Sequence, residues 1–211
     1  RRDHHARARA WRGCDRGLRL GRLCQRVGGG GGHGEHQFEI LPVAEGVVDD
    51  RIDADAVRLA ALFHDAVYDP MRSDNEARSA DLAVQVATEL GWPTERCDTV
   101  HRLVMATARH SPTRDDEAVL VDADLAILGS SPAEYAAYVH GVRHEYAHVD
   151  DDGWRTGRAA VLRRFLDTPH LFATPHMRAQ REARARAKAG RRSWRCWTCS
   201  PSPPRDFITR S

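Results

Sequence analysis

The chain has 211 residues and a mass of 23.6 kDa, which gives room for one ordinary domain with its own core and for appendages around it. Hydrophobic residues make up 41% of it, enough for a globular interior, and no apolar run approaches the roughly 18 residues of a membrane helix. The net charge of +2 hides an uneven spread: residues 1–32 carry nine Arg against Asp3 and Asp15 (+7), residues 178–211 carry nine Arg and Lys188 against Glu182 and Asp206 (+8), and residues 33–177 hold −13.

Five cysteines (Cys14, Cys24, Cys97, Cys196 and Cys199) form an odd, scattered set without the spacing of a disulfide framework. The basic N-terminal residues are not followed by an apolar segment, so no secretory signal is read there, and a cytoplasmic location is expected. Residues 1–32 end in five glycines, Gly28 to Gly32, which oppose any continuous element. This arm is expected to be disordered, and its Arg and Gly with no Lys also fit a GC-rich gene read out of frame. The tail 190–211 drops helical patterning abruptly and invites the same two readings. Its Cys196 and Cys199, without a second pair, are a weak zinc signal.

From His33 the texture changes. Ile40, Leu41 and Val43 keep helical spacing from His36, although Pro42 interrupts the pattern. Asp53 or Asp55 caps a helix expected over about 55–68, with Val57, Leu59, Leu62, Phe63 and Val67 as its apolar stripe. Ser73-Asp-Asn-Glu76 reads as a capping box, which opens a helix to Leu90 and Gly91. Further helices are expected from about Thr94 to His110, from Asp115 to Leu128, and from a second capping box, Ser131-Pro132-Ala-Glu134, to about Val149. Two more follow, Gly153 to Leu166 and an Arg-rich one from Thr174-Pro175 to about Ala189. No stretch alternates like a strand. The expected fold is all-α, a helical domain over 33–189 between two basic tails.

The chemistry centres on Leu59-Ala-Ala-Leu-Phe-His64-Asp65-Ala-Val-Tyr-Asp69-Pro70. Neighbouring helical positions point about 100° apart, so His64 and Asp65 reach one point only just off the helix edge. A divalent metal is such a point, since imidazole nitrogen and carboxylate oxygen both ligate at roughly 2.0–2.2 Å. An earlier His36 and a later Asp122 or Asp124 can converge on it from other helices. Asp122 and Asp124 lie about 200° apart around a helix, so only one can face the site. Asp124 shares its face with Leu120, Val121, Ile127 and Leu128, the bulkier apolar surface, which weakly favours it.

The order His, then His-Asp, then Asp on successive helices resembles the HD superfamily of metal-dependent phosphohydrolases. One predicted-phosphohydrolase branch is similar block by block, at Leu59–Pro70, Ser73–Ala80, Val121–Gly129 and Glu145-Tyr146. The resemblance covers roughly 33–188. It implies a helical HD bundle, one divalent metal ion (Mn, Fe, Ni, Zn or Mg) and hydrolysis of a small phosphate ester. On that resemblance His36, His64, Asp65 and one of Asp122 and Asp124 are the ligands. Asp69 parallels an acidic residue that nucleotide-cleaving relatives place four positions after the His-Asp pair, although Tyr68 stands where many of those relatives have Glu.

The expected chemistry is a metal-activated water attacking the phosphorus. Asp69 is the candidate to orient or deprotonate that water, with His110 as helper, and Arg72 and Arg78 are candidates to pair with the phosphate. The rival class is a non-catalytic protein whose Arg-rich tails bind nucleic acid or another polyanion, with the helical domain as scaffold. Its affinity would fall steeply with salt. The acidic centre of the chain argues against nucleic acid lying across the domain itself.

Overall fold

A computed structural model describes residues 43, 44, 46, 47, 51–69 and 71–190. The segment around His36, both basic tails and the Cys196/Cys199 pair lie outside the described residues. What is described is all-α, with no strand among the described residues. No helix among them is long and apolar enough to cross a membrane.

Helix α1, Ala54–Phe63, buries seven of its ten residues, including Leu59, Leu62 and Phe63. Each of those three side chains is worth about 1.5–3 kcal/mol relative to exposure. Asp53 caps it by accepting a hydrogen bond from the Ala56 amide at 3.1 Å. The same carboxylate receives Arg96 in two-point fashion at 2.5 and 2.6 Å. The alanines Ala56, Ala60 and Ala61, all essentially inaccessible, let neighbouring helices approach closely. The helix stops earlier than its apolar pattern predicts. After Phe63 the Ala66 amide turns back onto the Phe63 carbonyl at 3.0 Å. Ser79 then holds the turn, its hydroxyl accepting from the Val67 amide at 3.0 Å and donating to the Val67 carbonyl at 3.3 Å.

Helix α2, Asn75–Glu89, does not open on the expected capping box. Asp74 occupies the cap position without capping, because Arg72 engages both of its carboxylate oxygens at 2.7 and 2.6 Å. Gly91, at φ 76°, ends the α2 region in the left-handed conformation that favours glycine. Helix α3 is Thr94–Thr107, and α4, Asp115–Asp124, tightens into a 3₁₀ segment, Leu125–Gly129. Helices α1 to α4 share one core, in which Leu103, Val104, Val119 and Leu120 meet the α1 stripe.

Helix α5, Pro132–Glu145, does open on a complete capping box: Ser131 accepts from the Glu134 amide and the Glu134 carboxylate accepts from the Ser131 amide. Helix α6, Asp151–Leu166, is capped by Asp150. These two helices commit little to the interior, α5 burying Tyr135 alone and α6 only Trp154 and Ala159. The last helix is composite: α7, Pro175–Met177, a π-helical stretch, Arg178–Glu182, and α8, Ala183–Gly190. It packs on the second core through Met177 and Ala185, beside Leu128 and Phe172. Gly129 is required at this crossing, because a Cβ there would stand 2.6 Å from the Arg181 Cβ.

Candidate functional site

The C-terminal end of α1, the turn after α3 and the end of α4 meet at the floor of a cavity of about 850 Å³. Its walls come from α5 and α6, with Tyr138 and Gly141 on one side and Trp154 and Arg158 on the other.

His64 is the buried centre of the floor, at 1% exposure. Its Nδ1 lies 2.9 Å from the Ala61 carbonyl oxygen one turn back, a contact that makes Nδ1 the donor and aims Nε2 forward. Ahead of Nε2 stand two carboxylates, Asp65 Oδ2 at 3.3 Å and Asp124 Oδ1 at 3.6 Å. Burial pulls the imidazole toward its neutral form, but Asp65 and Asp124 outweigh burial and hold its pKa well above the ordinary value. Two acidic groups that stabilise a cation at this point would act on a metal ion as they do on a proton. The separations are longer than a charge-assisted hydrogen bond. They are near the roughly 3.0–3.4 Å between donors that each sit about 2.1 Å from one ion. Among the described residues, no group of three or more His, Cys, Asp or Glu side chains is by itself arranged to hold a metal. His36, the further ligand expected from the sequence, lies outside the described residues.

His110 joins the same carboxylate from the other side, its Nε2 at 2.9 Å from Asp124 Oδ2. It does so from a backbone φ of 49°, a left-handed conformation that a side chain adopts at a cost of about 1–2 kcal/mol. The ring also sits edge-on to Phe165, with centroids 5.5 Å apart. Tyr68, beside Asp65, shares a 2.9 Å hydrogen bond between hydroxyls with Tyr146. Burial and that bond push the Tyr68 phenol far above its ordinary pKa, so it stays protonated.

Several residues expected at the site are elsewhere. Asp122 is fully buried and Asp124 partly exposed, so the face argument misplaces the burial of the two, although the residue it favours for the site, Asp124, is the one beside His64. The Asp122 oxygens accept from the Ala173 amide at 2.6 Å, the Thr174 amide at 2.7 Å and the Thr174 hydroxyl at 2.6 Å. Asp122 thus fastens the start of the last helix. Asp69 is exposed, takes the Met71 amide at 2.9 Å, and is not among the residues lining the cavity. It shapes the turn before α2 instead of facing the floor. Arg72 is committed to Asp74, Arg78 is exposed, and neither lines the cavity.

The cavity also uses residues outside the expected site. Glu76 and Glu134, both expected in capping boxes, line it, as does Glu145. Arg158 lines it as well, its guanidinium 5.2 Å from the Tyr138 ring centroid and 3.4 Å from the Tyr135 hydroxyl. The available signal was spacing: Trp154, Arg158 and Val161 keep one face of α6. His101, His140, His144 and His148 are all exposed.

No protein-family model, no curated protein and no solved structure matches this chain.

Proposed function

We propose that the protein is a metal-dependent phosphohydrolase of the HD type that cleaves a small phosphate ester. The observation that carries this reading is that two carboxylates, Asp65 and Asp124, stand 3.3 and 3.6 Å from the buried His64 Nε2 on the floor of the cavity. His64, Asp65 and Asp124 would hold the divalent ion, with His36 as the further ligand. Such an ion, when bound, lowers the pKa of a coordinated water and polarises a phosphoryl oxygen.

The chain's own residues have separate tasks. His64 presents Nε2 because the Ala61 carbonyl engages Nδ1. His110 positions Asp124 by holding its second oxygen, leaving the first turned toward His64. In place of Asp69, the general base is drawn from the cavity carboxylates Glu76 and Glu145, which face the ligand space. The Tyr68–Tyr146 bridge fixes the wall beside Asp65.

The test is metal analysis of purified wild-type protein beside Asp65→Ala, followed by a screen of phosphate esters with both. The expected result is about one equivalent of divalent metal in the wild type, lost in the variant together with hydrolysis. Absence of metal in both proteins, or full metal-dependent activity in Asp65→Ala, would overturn the proposal.

A further inference from the structure

We infer that Arg158 is the anion-binding residue of the cavity, and that it suits the cavity to ligands bearing one phosphate group. This rests on the same cavity as the function proposed above, but it does not depend on the metal.

Charge is the first ground. The described lining carries five carboxylates, Asp65, Glu76, Asp124, Glu134 and Glu145, and Arg158 is its only Arg or Lys. Among the described residues Arg158 forms no ion pair with a carboxylate. Arginines elsewhere in the fold behave differently: Arg96 binds Asp53 and Arg102 binds Asp116 and Glu117. A partly buried guanidinium that no carboxylate pairs leaves its fork open to an anionic ligand.

Geometry is the second ground. The Arg158 side chain is braced by the Tyr138 ring at 5.2 Å and by the Tyr135 hydroxyl at 3.4 Å, which orders the fork before any ligand arrives. Its Nε is shut off from solvent and has no hydrogen-bond partner among the described residues. Space lies beside it: Gly157 precedes it on α6 and Gly141 lines the same cavity, and a Cβ built on either would meet nothing within 4 Å. A planar, five-donor fork next to open volume matches the oxygens of a phosphate better than a lysine would.

The same count sets the limit. One guanidinium presents one two-pronged fork and a single positive charge, against roughly −1.5 to −2 on a phosphate near neutral pH, so it has donors for one phosphate group and no charge to spare for a second. A second phosphate, without a metal ion to accompany it, would be set against the surrounding carboxylates. The ligand class is therefore the monophosphorylated compound rather than the di- or triphosphate.

The test is calorimetric titration of chelator-treated, metal-free protein with inorganic phosphate and with pyrophosphate. Wild type, Arg158→Gln and Arg155→Gln are compared; Arg155 lies on the same helix, pairs with Asp152, and does not line the cavity. Wild type is expected to bind phosphate, Arg158→Gln to weaken it at least about tenfold, and Arg155→Gln to change it less than about twofold. Pyrophosphate is expected to bind no more tightly than phosphate. No binding by wild type, equal binding by Arg158→Gln, or a clear preference for pyrophosphate would overturn the inference.

If Arg158→Gln fails to fold, labelling of the wild type with phenylglyoxal, read by peptide mass, decides instead. Phosphate should slow modification of Arg158 and leave Arg155 unaffected; an unprotected Arg158 would refute the assignment. Because no metal is present, failure here is distinct from failure of the metal-site proposal, which metal analysis reads separately.

Discussion

His110 and Asp124 are joined at 2.9 Å, Nε2 to Oδ2, across a backbone turn in which His110 alone among the described non-glycine residues takes a positive φ. The left-handed turn after α3 is what carries the imidazole back onto the end of α4. Strain of this kind persists where surrounding contacts over-determine it, and it gathers at functional sites.

The usual order of Gly and Ala should therefore invert at this position. His110→Gly removes the steric cost while losing one hydrogen bond, so the thermal midpoint should move by the equivalent of less than about 1 kcal/mol. His110→Ala keeps the strain and loses the bond, and should be the less stable of the two. Both should weaken metal affinity by about 10–100-fold, as loss of a residue that orients a ligand does. Paired melting curves and metal titrations check this.

Asp122 and Asp124 should separate stability from function. Asp122→Ala leaves two part-buried amides and a hydroxyl without their acceptor, at up to roughly 1–3 kcal/mol for each group that water does not reach. The last helix should loosen and the midpoint of urea unfolding should fall sharply. Asp124→Asn should keep the fold and lose the proposed hydrolysis. Circular dichroism melts beside activity assays distinguish the two.

Acid sensitivity should arise at Arg102. Burial favours the neutral forms of Asp116 and Glu117, yet Arg102, together with the Thr113 amide and hydroxyl at Glu117, outweighs burial and holds both carboxyls below their ordinary values. A carboxyl whose pKa is lower folded than unfolded contributes stability above its unfolded pKa, about 4, and loses it as pH falls through the folded value. The melting temperature should be level near neutrality and drop below about pH 4. Arg102→Met should lower the neutral value and flatten the acid limb, which melts across a pH series would show.

Gly129→Ala should destabilise the crossing of the 3₁₀ segment with the last helix. The added methyl would stand against Arg181 Cβ, next to the backbone, where a side chain cannot swing aside. Overpacking of this kind costs about 1–3 kcal/mol. A lowered melting temperature with unchanged metal content is the expected outcome.

The helix types and most of their starts were legible in the sequence because caps and breakers act locally. Ser131-Pro132-Ala-Glu134 closed its capping box as written. Ser73-Asp-Asn-Glu76 did not, because Arg72 competes for Asp74 and Glu76 faces the cavity. The His64-Asp65 pair was visible because both residues sit at one helix end. The faces of α4 pointed to Asp124 as the site residue but misjudged which Asp is the more buried, because the helix is covered nearly all round: Glu117, Val119, Leu120, Val121, Asp122 and Ala123 are all buried. Arg158 was hidden for another reason. Its neighbours Tyr135 and Tyr138 are on a different helix, and only the packing of α5 against α6 brings them to it.

The sparse anchoring of α5 and α6 has a consequence for how the protein breathes. Helix α1 gives seven side chains to the interior, α5 gives one and α6 two, so partial opening of the hairpin costs much less than global unfolding. Its backbone amides should exchange with deuterated solvent well before those of α1. That same pair of helices walls the cavity, so an occupant bridging floor and wall should slow this exchange.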